Sequence, residues 1–271
     1  MKKLAITHIL DTMHEMYKDF PVTELCYKTP FQCLIAVMMS AQTTDIQVNK
    51  VTDILFKKIK SPADVLQMWQ DKLWDHIKTV WLRTAKKKNV YATAKILIEK
   101  KDKMWICHAE CSETESKCAR SADSKSHPST SSGWQKNEKI VNPGSKQVFE
   151  NSEDVYQQCG YWIPDTLEEM MQLPGVGVKT AKVVLYVLYR QRRVAVDTHV
   201  HRVMNRLWVI DTKTPDQSSV QLETIIPDEY KDIAHKCIIY FWRYHCKAKK
   251  PNCGACPLYD VCKRKDKKSY V

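Results

Sequence analysis

Residues 173–202, LPGVGVKTAKVVLYVLYRQRRVAVDTHVHR, constrain this chain more than any other stretch. They open on a tight turn, Leu173-Pro174-Gly175-Val176-Gly177, which runs straight into an apolar helix over 180–189. Glycine tolerates positive φ and lets another backbone come close, so such a turn can aim its N–H groups outward. At the mouth of a helix those groups and the helix dipole suit a phosphate. Lys179 sits in the first turn of that helix, and Asp197 follows eighteen residues later in Val196-Asp197-Thr198-His199. A lysine and a carboxylate beside a phosphate-binding turn point to amine chemistry on nucleic acid. The turn by itself is also common loop punctuation, so the weight rests on the whole string.

The remaining chain fits that reading. Its 271 residues can hold one or two domains with a real core. With 43 basic and 31 acidic residues the net charge is +12, which favours a polyanionic partner. No apolar run is long enough to span a membrane, and Met1-Lys2-Lys3 precede too short an apolar stretch for a secretory leader. A cytoplasmic, nucleoid-associated protein is expected. In that compartment eleven cysteines are ligands or thiols rather than disulfides.

Apolar residues recur at helical spacing over 4–17, at Leu4, Ile6, Ile9, Leu10, Met13 and Met16. Thr29-Pro30 starts a second helix, apolar on nearly all sides and so expected to be buried. Thr44 or Asp45 caps a third, and a fourth covers roughly 86–99. Thr166-Leu167-Glu168-Glu169 has the pattern of a capping box. A last long helix over 231–245 leads to a cysteine cluster. No segment alternates as a strand does, so the fold is expected to be all-α. Residues 101–158 break the pattern, with eight serines between Ser112 and Ser132 and little to bury. Such a composition cannot offset the entropy of ordering, and a low-complexity insertion is expected there. Within it Cys107, His108, Cys111 and Cys118 are candidate zinc ligands, although their spacing fits no common pattern.

Cys246, Cys253, Cys256 and Cys262 are spaced C-x6-C-x2-C-x5-C. Four thiolates this close together can converge on one metal centre, and spacing alone leaves zinc and an iron–sulfur cluster both open. Lys247, Lys249 and Lys250 lie on the first loop between them, where a metal-held loop can meet DNA phosphate at little entropic cost.

The string from Leu173 through His199 closely resembles the helix-hairpin-helix motif and following aspartate of the endonuclease III family of DNA repair glycosylases. The resemblance implies that Lys179 is the catalytic nucleophile and Asp197 its catalytic partner, with Gly175 and Gly177 meeting DNA. Ser40-Ala41-Gln42-Thr43-Thr44-Asp45 is similar to a family segment whose glutamine enters the space left by the flipped nucleotide, a role carried to Gln42. Leu82 falls where the family places a second intercalating side chain. The four C-terminal cysteines resemble the family's ligands for a [4Fe–4S] cluster. Two helical domains are then expected, with the active site in the cleft between them. One is a helical barrel over 23–191, interrupted by the insertion at about 101–158. The other is an iron–sulfur domain made of 1–22 together with 192–271. The implied activity is removal of oxidised pyrimidines and nicking of abasic sites by a monomer acting on double-stranded DNA, through a lysine Schiff base and β-elimination.

Two alternatives remain open. The adenine-type glycosylases of the same superfamily share the cluster but lack the lysine, and a non-catalytic DNA-binding iron–sulfur protein would keep the fold. Trp81, Trp208 and Trp242 stand where relatives usually have glycine. The chain holds 6 glycines and 8 tryptophans, against a usual glycine share of about 7%. Both facts would follow if the source organism reads UGA as glycine while the sequence was translated with UGA as tryptophan.

Overall fold

A computed structural model describes residues 2–69, 83–111, 148–263 and 267–270. Every regular element among them is helical: α1 (Lys2–Tyr17), α2 (Pro30–Ser40), α3 (Asp45–Leu55), α4 (Pro62–Trp69), α5 (Arg83–Cys111), α6 (Ser152–Cys159), α7 (Leu167–Met171), α8 (Val178–Tyr189), α9 (Thr198–Arg206), α10 (Pro215–Ile225) and α11 (Lys231–Tyr244), with short 3₁₀ turns at Asp228–Tyr230 and Lys267–Tyr270. No described helix is long and apolar enough to cross a membrane.

The helix starts are set by side chains that accept the amides left unbonded in a first turn. Thr29 takes the Gln32 amide, with Pro30 supplying the preset φ of the first position. Thr44 caps α3 at the Gln47 amide and Asn151 caps α6 at the Asp154 amide. At α7 the Thr166 hydroxyl oxygen takes the Glu169 amide and donates to the Glu169 carboxylate at 3.2 Å. Gly160, at φ 73°, ends α6 in the left-handed region.

Two clusters of buried apolar side chains form. The first gathers Phe31, Leu34 and Ile35 of α2, Val90 and Leu97 of α5, and Val184 and Leu185 of α8. The second joins the two ends of the chain, packing Ile6, Leu10 and Met13 of α1 against Val200 and Val203 of α9 and Ile238 and Phe241 of α11.

Both ends of the region 101–158 are described: the α5 backbone continues to Cys111, and residues 148–158 include most of α6. Phe149 and Val155 are both fully buried in the first cluster, and the Phe149 amide donates to Leu188 O at 2.9 Å. A few apolar anchors among polar neighbours suffice to seat this segment, and average composition hides them. Leu82, Trp81 and the zinc candidates Cys107, His108, Cys111 and Cys118 lie outside the residues whose side chains are described.

Trp208 adopts φ 56° just beyond α9. Its amide donates to Asn205 O and the Val209 amide to Met204 O, the paired bonds of a Schellman cap. That cap places its left-handed residue where glycine is usual, yet here a tryptophan stands 62% exposed.

Candidate active site

The turn ahead of α8 is pinned from below by α5. Gly175 has φ 80°, and a Cβ there would come within 2.4 Å of the Asn89 amide nitrogen, so both its backbone and its surroundings require glycine. Thr93, one turn further along α5, donates to Pro174 O at 3.3 Å. Gly177 caps α8 without a side-chain hydrogen bond, and a Cβ on it would meet nothing within 4 Å. No neighbour crowds a side chain at the start of α8, and Lys179 is the second residue of that helix.

Residues 190–197 are irregular, although Val194, Ala195 and Val196 are buried. They deliver Asp197 to the N-cap of α9, where one carboxylate oxygen accepts the His199 and Val200 amides, both at 2.8 Å. The other oxygen accepts the Lys179 ammonium at 2.9 Å. Lys179 extends from the first apolar cluster's α8, and Asp197 heads α9 of the second, so the pair spans the two. The Asp197 side chain is 13% exposed and that of Lys179 48%, which leaves the amine open to a substrate. Burial would raise the Asp197 pKa, but Lys179, His235 and the Val200 amide outweigh it and hold the carboxyl at about 2. His235 is pushed down to about 4 by burial and then by Lys179. Its Nδ1–H donates to Ala195 O at 2.6 Å. Beside Asp197, His199 stacks on Trp242, the rings 3.5 Å apart and 8° from parallel.

Gln42 lies exposed between α2 and α3 with φ 59°. The loop is held by Lys86, whose ammonium donates to Met39 O at 2.7 Å, Ala41 O at 2.6 Å and Thr43 Oγ1 at 2.8 Å. Lys86, Asn89 and Thr93 share one face of α5 at helical spacing, so a single helix face supports the Gln42 loop and the Gly175 turn together. Sequence reasoning passed over Lys86, since one basic residue in a basic helix start carries no signal of three backbone and hydroxyl partners.

Cys246, Cys253, Cys256 and Cys262 all line one pocket, closed by Leu207, Phe241 and Tyr259. The described cysteines form no disulfide among themselves. Burial and the neighbouring thiols raise the Cys256 pKa to about 11. Four thiols sharing one pocket are a donor set that fits either a zinc ion or an iron–sulfur cluster. Arg206, at the far end of α9 from Asp197, donates to Cys246 Sγ at 3.3 Å and Lys247 O at 2.9 Å. One helix thus ties the cysteine loop to the carboxylate. Lys247, Lys249 and Lys250 are exposed on that loop.

Comparison with known proteins gives a consistent picture. Residues 35–228 match the model for HhH-GPD superfamily base excision DNA repair proteins, and residues 246–262 match the iron–sulfur binding domain of endonuclease III. The chain is 31% identical to endonuclease III of Escherichia coli K12 over 267 residues, covering 98% of this chain and 99% of that protein. It is 33% identical to endonuclease III of Rickettsia felis over 242 residues, covering 89% and 86%. Among solved structures, a trapped endonuclease III–DNA covalent intermediate is similar with a TM-score of 0.71 and 32% identity, covering 98% of this chain and 97% of that one. A non-covalent endonuclease III–DNA complex is similar with a TM-score of 0.72 and 31% identity, covering 99% of both.

Proposed function

Because the chain belongs to the HhH-GPD superfamily of base excision DNA repair proteins, and within it to the endonuclease III family, we propose that Lys179 and Asp197 carry its reaction. It is a DNA glycosylase with AP lyase activity and has a [4Fe–4S] cluster. The observation that carries the residue assignment is the 2.9 Å contact between Lys179 and Asp197 beside the open mouth of α8.

The substrate is double-stranded DNA holding an oxidised pyrimidine or an abasic site, with the target nucleotide turned out of the stack because its glycosidic carbon is unreachable inside it. Gln42 fills the gap this leaves, with Leu82 as a second wedge, and the amides beyond Gly175 and Gly177 hold a backbone phosphate. Asp197, within hydrogen-bond reach of Lys179, accepts its proton or steadies the developing sugar cation. The free amine attacks C1′ as the bond to the base breaks, and the departing base takes up the proton that the new C1′ ammonium gives up. Opening of the sugar gives a Schiff base on Lys179. Loss of a C2′ proton then expels the 3′ phosphate, and water releases the lysine. Cys246, Cys253, Cys256 and Cys262 would hold the cluster, which supplies a rigid cross-link for the loop bearing Lys247, Lys249 and Lys250.

We infer two structural units, 23–191 and 1–22 with 192–271, supported by the two apolar clusters. The protein acts as a monomer on nucleoid DNA in the cytoplasm. Duplexes holding one oxidised pyrimidine, or adenine opposite an oxidised guanine, test the reading. Base release coupled to a strand nick on the first supports it. Adenine release without a nick would favour the adenine-type alternative instead.

A further inference from the structure

One turn beyond Lys179 on α8, Lys182 is 7% exposed. All three of its N–H donors are used: on Glu223 Oε2 at 2.8 Å, Ser219 Oγ at 3.1 Å and Val194 O at 3.2 Å. The same Glu223 oxygen accepts the Val194 amide at 3.3 Å. The side-chain pair therefore holds both polar groups of Val194, three residues before Asp197. That matters because the 190–197 segment has no helix to satisfy its backbone, and buried peptide groups must find partners somewhere. His235 supplies the next one, at Ala195 O. An ion pair drawn partly out of water is a poor source of stability compared with apolar packing, so its value here lies in geometry.

We propose that Lys182 and Glu223 are positioning residues for the reaction: spanning α8 and α10, they clamp the Val194 peptide and so fix where Asp197 meets Lys179. Without the clamp the segment keeps its apolar burial but loses its register along α8. Reaction rate is sensitive to such errors, since a misplacement of about 1 Å can cost roughly 10² in rate. DNA affinity, set by phosphate contacts elsewhere, stays nearly constant. The proposal rests on the assignment of Lys179 and Asp197 above.

Lys182→Met and Glu223→Gln, each confirmed as folded by circular dichroism and iron content, test it. Two quantities are measured across pH: affinity for a duplex with a reduced, unreactive abasic site, and the single-turnover rate of borohydride trapping on a natural abasic duplex. Both variants are expected to trap at least about tenfold more slowly, with affinity within about threefold of wild type. The acid limb of trapping should move to higher pH, because a carboxyl held low partly by Lys179 rises when that contact loosens. The two effects should also fall short of additive in the double variant. A folded Lys182→Met protein trapping at the wild-type rate, or losing rate only in step with affinity, overturns the proposal. If Lys182→Met does not fold, the shape-conserving Glu223→Gln decides between the same outcomes. Absence of an adduct with the wild-type protein would sink the Lys179 assignment and this proposal together, whereas an undiminished adduct in the variants sinks this proposal alone.

Discussion

Asp197 does two jobs through two oxygens, one capping α9 and the other facing Lys179. The division separates fold from chemistry. In Asp197→Asn the remaining carbonyl oxygen can still accept the His199 and Val200 amides, so α9 keeps its cap. The negative charge beside Lys179 is lost, and turnover on an abasic duplex should fall by about 10² or more while binding persists. Single-turnover nicking beside a binding titration measures both, and near wild-type turnover would remove the carboxylate from the chemistry. The pH dependence follows from the same contacts. The folded pKa of about 2 lies below the ordinary carboxylate value, so the stability Asp197 contributes is fully present above about pH 4 and disappears as pH falls towards 2. Acid unfolding of Asp197→Asn should accordingly lack that portion of the wild-type loss.

Several helices and their ends were legible in the sequence because capping and periodicity are local. The Thr29, Thr44 and Thr166 caps, the buried α2 and the turn before α8 all follow from residues within a few positions of one another. What escaped notice depends on distant partners. Nothing near Lys86 indicates that it holds the Gln42 loop, and nothing near Lys182 points to Glu223. Phe149 escaped for a related reason, being a lone aromatic at the edge of a serine-rich region. Phe149→Ala should cost about 3–5 kcal/mol in urea unfolding, as expected for emptying a filled aromatic site. Replacing 113–146 by a short Gly-Ser linker should leave nicking intact. A nearly neutral Phe149→Ala would place that residue outside the core. At the end of α9, Trp208→Gly should stabilise by roughly 1 kcal/mol, since the left-handed conformation costs a side-chain-bearing residue about that much. The Lys263 ammonium, 4.5 Å from the indole, offsets part of the gain. The gene supplies a sharper check: UGA at positions 81, 208 and 242 fits a glycine reading, and UGG there ends it.

Across the whole molecule, the chain closes on itself so that α1 packs against α11 and the two apolar clusters meet at Lys179 and Asp197. From the cysteine pocket, Arg206 and α9 run back to the carboxylate, so loosening the cluster should disturb both DNA docking and the active pair. Protein purified anaerobically should be brown and carry about four iron and four sulfide per chain. Stoichiometric zinc without inorganic sulfide would contradict the assignment. The central claim is that one amine, Lys179, displaces the base and then holds the sugar. Borohydride trapping on an abasic duplex tests it most directly, comparing wild type with Lys179→Gln. Wild type should yield a covalent protein–DNA adduct, and Lys179→Gln should bind the duplex yet yield none. A trapped adduct with Lys179→Gln would place the nucleophile elsewhere and contradict the account.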